Sequence, residues 1–365
     1  MEQYLQALLS GIAGPDRAAM DAALARQQRL AKPPHSLGRL EDLSVQLAGI
    51  TGTIGAPLER RRVLIFAADN GIAEEGVSSC PQSVTLSQTV NFSRGLTGAA
   101  VLARHFHSEL DVTDVGIDTD AAIPGAHDCK IARGTGNFAR EPAMTRDQAL
   151  RALRVGAEAA RRAKDDGVQI IGVGEMGIGN TTTSSAVLSA LLSLPAEATV
   201  SRGAGLNDEG FARKIALIDG ALARLQPDPG DPVDVISKVG GFDIAAMCGA
   251  FLGAAACRLP AVIDGFISAV AALCAFRLNP LCAAYMIPSH ASAEKGYALA
   301  MAAMGLRPAL QLDMRLGEGS GCPIMFEIAD AAQRVIREMA TFEEAGIDDG
   351  YLAEIRASKA FQGEA

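Results

Sequence analysis

The residues best placed to do chemistry fall within positions 312–321, which read Leu-Asp-Met-Arg-Leu-Gly-Glu-Gly-Ser-Gly. One carboxylate, Glu318, stands between two glycines. Glycine on both sides lets the backbone turn sharply and lets a ligand come close. The apolar residues before it (Ala309, Leu310 and Leu312) read as a buried approach to a loop, and the residues after Gly321 read as a helix. A carboxylate shielded from water at such a junction is a candidate general base, because burial moves a carboxyl pKa toward working pH. From this segment alone, a solvated glutamate on a tight turn is the simpler explanation. Other stretches change that.

The strongest of these is Gly172-Val-Gly-Glu-Met-Gly-Ile-Gly-Asn-Thr-Thr-Thr183. A strand-like run over 168–173 enters it, and a helical pattern over 184–194 leaves it. Gly172-x-Gly174-x-x-Gly177 formally matches the dinucleotide fingerprint, which predicts NAD and an oxidoreductase. That fingerprint is weak by itself. Asn180 and three threonines at a helix start suit a single phosphate or a ribose held on backbone N–H groups. No lysine precedes the threonines, so this is not a Walker A loop. A glycine loop at 201–206 precedes a helix carrying Lys214, which could supply a point charge to a phosphate; alone it reads as a solvated helix residue. His290, in Pro-Ser-His-Ala-Ser292, reads as a catalytic imidazole or a hydrogen-bonding positioner, with no nucleophile arranged nearby for a triad.

These loops need a scaffold. Buried strands are expected at 62–68, 110–116, 168–173, 261–264 and 285–287, each a short apolar run ending in Gly, Asp, Ser or Glu. Helical patterns lie between them, at 84–94, 98–105, 147–165, 244–257 and 268–276, while 233–239 reads as strand or short helix. The recurrence predicts an α/β fold, a doubly wound and mostly parallel Rossmann-like sheet with its site along one edge. Residues 1–55 read as a helical arm broken by Pro33-Pro34, and the tail as helices at 328–340 and 349–360. The expected organisation is a catalytic domain over 56–325 and a small helical domain built from 1–55 and 326–365.

Composition narrows the function classes. The 365 residues are 49% hydrophobic and 21% charged, so the chain fills a globular core. Aromatic residues make up only 4%, tryptophan is absent, and the formal net charge is −9. Both facts argue against a nucleic-acid partner, which needs basic surface and stacking rings. Arg60-Arg61-Arg62, the densest basic run, reads as a solvated strand entrance. Seven cysteines without a C-x-x-C pair predict reduced thiols rather than disulfides or a zinc site. No basic segment precedes an apolar core at the N-terminus, and Arg258, Pro260 and Asp264 break the apolar stretch 244–282 below bilayer length. A cytoplasmic protein without a membrane partner is expected.

A family resemblance covers residues 30–345. Lys32-Pro-Pro-His-Ser-Leu-Gly-Arg-Leu40, Glu75-Gly-Val-Ser-Ser-Cys-Pro-Gln82, Gly134-Thr-Gly-Asn-Phe138 with Glu141-Pro-Ala-Met-Thr145, Gly174-Glu-Met-Gly-Ile-Gly-Asn-Thr-Thr182, Val239-Gly-Gly-Phe242 and Arg315-Leu-Gly-Glu-Gly-Ser-Gly321 are similar to motifs of the nicotinate-nucleotide:dimethylbenzimidazole phosphoribosyltransferases. This family makes the lower-ligand nucleotide of cobamides. The resemblance implies that nicotinate mononucleotide gives its ribose phosphate to an aromatic base, with inversion at the anomeric carbon and without metal or other cofactor. It places the catalytic base on Glu318 and a second carboxylate on Glu175. It assigns Gly177, Gly179, Asn180, Thr181, Gly203, Lys214, Ser292 and Ser320 to the phosphoribosyl group. Cys80, Pro81, Leu86, Gln88, Met176, Leu316 and Gly317 would line the slot for the base. A homodimer is implied.

Three departures surround the slot: Asn70 where a histidine is expected, Cys80, and Cys322-Pro323 after the glycine loop. They leave room for a related branch of paired subunits that activates phenol and p-cresol, in which the chain would form a heterodimer with a homologous subunit. A third reading is a non-catalytic nucleotide-binding partner, against which intact Glu318, Glu175 and Lys214 argue.

Overall fold

The structure, a computed structural model, describes residues 1–202 and 205–352. Six strands form one sheet: β1 (Arg61–Ala68), β2 (Glu109–Gly116), β3 (Ala126–Asp128), β4 (Ile170–Met176), β5 (Ala261–Ile263) and β6 (Met286–Pro288). Their order is β3-β2-β1-β4-β5-β6, and every neighbouring pair is parallel. This is the doubly wound order, in which the sheet reverses direction of growth between β1 and β4. The central strands are nearly continuous apolar runs because helices cover both faces; β4 is buried along its whole length. Carboxyl ends of β1, β4, β5 and β6 therefore open side by side, and the loops leaving them carry most of the polar residues of the cleft.

The chain divides into two compact units. The larger contains Met1–Ala13 and Arg60–Met325, and the smaller contains Gly14–Glu59 and Phe326–Ala365. In the larger, the helix Glu2–Ser10 is tied in by Asn279 Nδ2, which donates to Leu9 O at 3.0 Å, and Tyr285 OH, which donates to Ala13 O at 2.9 Å. In the smaller, helices Arg17–Arg29 and Arg39–Thr51 pack with Ile336 around Ala23 and Ala48. An antiparallel bridge pairs Leu30 with Thr341, and the Arg337 guanidinium donates to Gly55 O at 3.0 Å. The Lys32 ammonium and Glu41 carboxylate form a 2.7 Å ion pair with side chains 6% and 10% exposed. Glu41 also accepts from Leu37 N, so the loop carrying the two prolines is anchored at both ends.

Several local expectations are corrected. β4 runs on through Gly174, Glu175 and Met176, and the next helix starts at Asn180 rather than 184, so the threonines form its first turn. Pairing with β1 extends as far as Ala67↔Met176 and overrides the break that glycine suggests. Of the two forms expected for 233–239, strand or short helix, the structure has the helix, Pro232–Val239, with Asp231 accepting from the Val233 and Asp234 N–H groups. Leu312 is 49% exposed, so the approach to the Glu318 loop is not buried. The helix expected after Gly321 is Cys322–Glu338, with Cys322 buried at its start. β3 and the helix Lys295–Met304 are additions to the expected elements. The expected helix over 349–360 is represented by one 3-10 turn, Gly350–Leu352; its remainder lies outside the described residues. Among the described residues no helix is long and apolar enough to cross a membrane.

Candidate active site

The carboxyl ends of the strands enclose a cleft of about 620 Å³ in the larger unit. Glu318 sits in its wall, 6% exposed, on a turn where Gly317, Glu318 and Gly319 have φ of +82°, +64° and +73°. Only Glu318 carries a side chain among these three, and its left-handed backbone costs about 1–2 kcal/mol. The turn is closed by Ser320 N donating to Gly317 O at 3.0 Å. Two buried carboxylates hold its amides. Glu175 accepts from Glu318 N at 3.3 Å, and Asp264 accepts from Gly319 N at 3.0 Å and Gly321 N at 2.7 Å.

The Glu318 side chain has its own partners. Gln88 Nε2, from the helix Val84–Ser93, donates to one oxygen at 2.7 Å. Ala99 N, in the first turn of the helix Gly98–His105, donates to the other at 3.2 Å. Both partners are donors, which suits a carboxylate because it only accepts. The helix N-terminus adds a favourable partial charge. The result is an oriented carboxylate opening on a cleft that Val77, Cys80, Val84, Met176 and Leu316 make partly apolar.

Around it lies a group of buried acids. Glu175 ends β4 and accepts from Asn180 Nδ2, which also donates to Asp243 at 3.3 Å. Burial, reinforced by neighbouring Asp243, pushes the Glu175 carboxyl up to about 8. Burial likewise raises Asp243 to about 6 and Asp264 to about 7, against backbone N–H groups that favour their ionised forms. With its pKa raised to about 8, Glu175 is mostly protonated at neutral pH, whereas a solvated glutamate would be ionised. His290, 2% exposed, pairs Nδ1 with Ser289 Oγ at 3.0 Å, and burial lowers its pKa. It lies 4.0 Å from Asp264 and is a neutral neighbour of that carboxylate.

The opposite wall is built for an anion. Gly177, Gly179, Asn180 and Thr181 line it at the start of the helix Asn180–Leu192, and Ser292 faces the same space. Lys214, fully buried, donates to Thr181 Oγ1 at 2.9 Å from the helix Asp208–Leu225. Burial lowers its pKa to about 8, so an anionic ligand would restore the charge that burial disfavours. The solvated helix residue that Lys214 suggested in isolation is thus corrected. Among the other expected residues, Gln88 and Gly317 line the cleft. Ser320 is buried, with an Oγ that lacks a hydrogen-bond partner among the described residues. Pro81 and Leu86 lie outside the lining, and Gly203 lies outside the described residues. Asp264 and Asp243 escaped the sequence reading as site residues. Their one signal was position: an acid just after a strand, and an acid two positions after a glycine pair.

The dinucleotide fingerprint fails on geometry. Gly172 and Gly174 are buried inside β4, not in a phosphate loop. A Cβ at Gly174 would lie 2.5 Å from Gly319 N and 2.9 Å from Glu318 C, so this glycine makes room for the Glu318 turn. Glu197, the acid near the spacing of a ribose anchor, is in the short helix Ala196–Thr199 and ends no strand.

A parallel doubly wound sheet with an anion cradle after β4 and an oriented carboxylate across the cleft suits a transferase acting on a phosphorylated sugar. A phosphoribosyltransferase family profile matches residues 12–347. The chain is 49% identical over 357 residues to a nicotinate-nucleotide–dimethylbenzimidazole phosphoribosyltransferase of Clostridium perfringens, covering 98% of this chain and 99% of the relative. A protein of the same name from Ruminiclostridium cellulolyticum is 51% identical over 329 residues, 90% of this chain and 94% of its own. The crystal structure of CobT from Thermus thermophilus superposes with a TM-score of 0.88 at 41% identity, covering 91% of this chain and 100% of that one. The chain belongs to the nicotinate-nucleotide–dimethylbenzimidazole phosphoribosyltransferase family.

Proposed function

We propose that this chain moves ribose 5-phosphate from nicotinate mononucleotide to 5,6-dimethylbenzimidazole or a similar aromatic base. The products are nicotinate and the α-ribotide of a cobamide lower ligand. The observation that carries this reading is the placement of Glu318 and of Gly177, Gly179, Asn180 and Thr181 on the walls of one cleft, with Lys214 buried behind them on Thr181 Oγ1. The phosphate sits at the start of the helix Asn180–Leu192, with Thr181 and Lys214 as side-chain partners. The acceptor lies against Met176 and Leu316, with its N–H toward Glu318. Its ring nitrogen attacks the anomeric carbon from the face opposite nicotinate. The new C–N bond forms as the old C–N pair returns to the pyridinium nitrogen, which leaves neutral. The acceptor proton passes to Glu318. No acid is needed for the leaving group, so a single base suffices. Gly177, Gly179, Asn180, Ser292 and Ser320 surround the sugar phosphate in this reading, Cys80, Gln88 and Gly317 surround the base, and Glu175 is the second carboxylate near the base.

The test is turnover of nicotinate mononucleotide by the pure chain with dimethylbenzimidazole, adenine, phenol and p-cresol in separate reactions, products read by mass. Azole ribotides are expected, and Glu318→Gln should lower kcat by roughly 10²–10⁴. Absence of product from every acceptor overturns the reading in favour of a non-catalytic partner, and phenolic products place the chain in the paired-subunit branch. The family's homodimer belongs to the same proposal. Exposed Leu96, Val101 and Leu316 supply apolar surface for it. Light scattering at twice the chain mass is the expected result, and a monomer that dimerises only with a homologous subunit is the contrary one.

A further inference from the structure

We propose that Asp264 is a positioning residue for this reaction: its carboxylate, bonded to the N–H groups of Gly319 and Gly321, fixes the left-handed turn that aims Glu318 at the acceptor. The inference rests on Glu318 being the base. Asp264 follows β5 directly and is 2% exposed. Its main chain is fixed first, because Asp264 N donates to Ser268 Oγ at 3.2 Å, and that hydroxyl donates to Val173 O at 2.8 Å. The clamp therefore stands on β4 and on the helix Phe266–Leu278.

Its two oxygens are divided between the two glycines, Oδ2 to Gly319 and Oδ1 to Gly321. Asp264 lines the cleft, but both oxygens are already engaged by the loop, so it acts through Glu318 and not on the substrate. Gly321 has the space this requires. A Cβ there would lie 2.3 Å from His290 Nδ1 and 2.9 Å from Asp264 Oδ1. Glu175 holds the preceding amide, that of Glu318. Three amides of one turn thus converge on two buried carboxylates, the reverse of the usual nest in which a protein turn captures a ligand anion. Each glycine N–H has its own acceptor oxygen on Asp264, so the geometry of the turn is sensitive to loss of one acceptor. Asparagine at 264 keeps the volume but sets an NH2 against one glycine N–H, so the turn loses one anchor.

The experiment compares wild type, Asp264→Asn, Glu318→Gln and the double variant, all checked for fold by circular dichroism and thermal unfolding. Asp264→Asn should lower kcat by about 10- to 100-fold, since a misplacement near 1 Å costs on the order of 10². KM for nicotinate mononucleotide should stay within about threefold, because the anion cradle is elsewhere. In the Glu318→Gln background the same change should matter less than about twofold, as residues acting as one unit are not additive. A folded Asp264→Asn enzyme with wild-type kcat, a loss confined to KM, or losses that multiply in the double variant each overturn the assignment. Full activity of Glu318→Gln would instead sink the base assignment itself. Hydrogen exchange on wild type needs no variant to fold: the amides of Gly319 and Gly321 should be strongly protected, and exchange as fast as that of exposed Leu312 refutes the clamp.

Discussion

Gly174→Ala is a sharp perturbation of the base that leaves its carboxylate and the cleft lining unaltered. The new methyl would sit 2.5 Å from Gly319 N, 2.6 Å from Gly319 Cα and 2.9 Å from Glu318 C, all backbone atoms with no rotamer to change. Ordinary contact needs about 3.4 Å, so the turn withdraws by roughly 0.9 Å or β4 bends by as much. Overpacking of this kind costs about 1–3 kcal/mol of stability, which a domain with 5–15 kcal/mol in hand survives. The same displacement moves Glu318 away from the acceptor, and a shift near 1 Å predicts a fall in kcat on the order of 10². Steady-state kinetics with nicotinate mononucleotide and dimethylbenzimidazole would report it, with KM for the nucleotide nearly unchanged. Gly220→Ala is the control. It lies in the helix Asp208–Leu225 with nothing within 4 Å of its Cβ position, and should gain about 0.5–1 kcal/mol with activity intact. A folded Gly174→Ala enzyme with kcat within threefold of wild type would refute the reasoning, because the turn would then not be what places the base.

Three further outcomes are expected. Lys214 is charged below about pH 8 and neutral above it, so KM for nicotinate mononucleotide should rise as pH climbs through 8. In Lys214→Arg, whose guanidinium stays ionised, that limb should vanish, and its persistence would assign the limb elsewhere. Lys32→Met strands Glu41 in the smaller unit's buried ion pair and should cost about 3–5 kcal/mol in denaturant unfolding, a loss below 1 kcal/mol contradicting the burial. Asp243 binds its proton more tightly folded than unfolded, with a folded value near 6, so its contribution to stability falls as pH rises from about 4 to 6. Asp243→Asn should therefore gain on wild type across that window and run parallel above it, and a difference in Tm that shrinks with rising pH would reverse the sign.

Much of the fold was legible because a doubly wound sheet writes itself plainly. β1 is a short apolar run ending in a polar loop, and the helical pattern over 147–165 matches the helix Arg146–Asp165. What misled was glycine used for approach. Gly174 reads as the end of a strand, yet it is glycine because the Glu318 turn packs on it from more than a hundred residues away in the chain. Asn180 to Thr183 read as a cap region, but burial of Thr182 and Thr183 holds them helical despite weak intrinsic preference. Glu318 was found by its glycines. Asp264 was not, because its meaning lies in two bonds to residues 55 and 57 positions later, and local pattern carries no record of them.

The composition of the smaller unit has a consequence for synthesis. Its two segments, Gly14–Glu59 and Phe326 onward, are separated by the whole of 60–325. Arg26 reaches Ile336 O and Leu30 bridges Thr341, so neither segment completes its contacts until the other has left the ribosome. At about 5–20 residues per second that interval is roughly 13–50 s, long on the scale of helix formation and collapse. The first-made helices wait as an unpaired amphipathic surface while the sheet assembles behind them. A message truncated before codon 326 would leave Gly14–Glu59 without these partners.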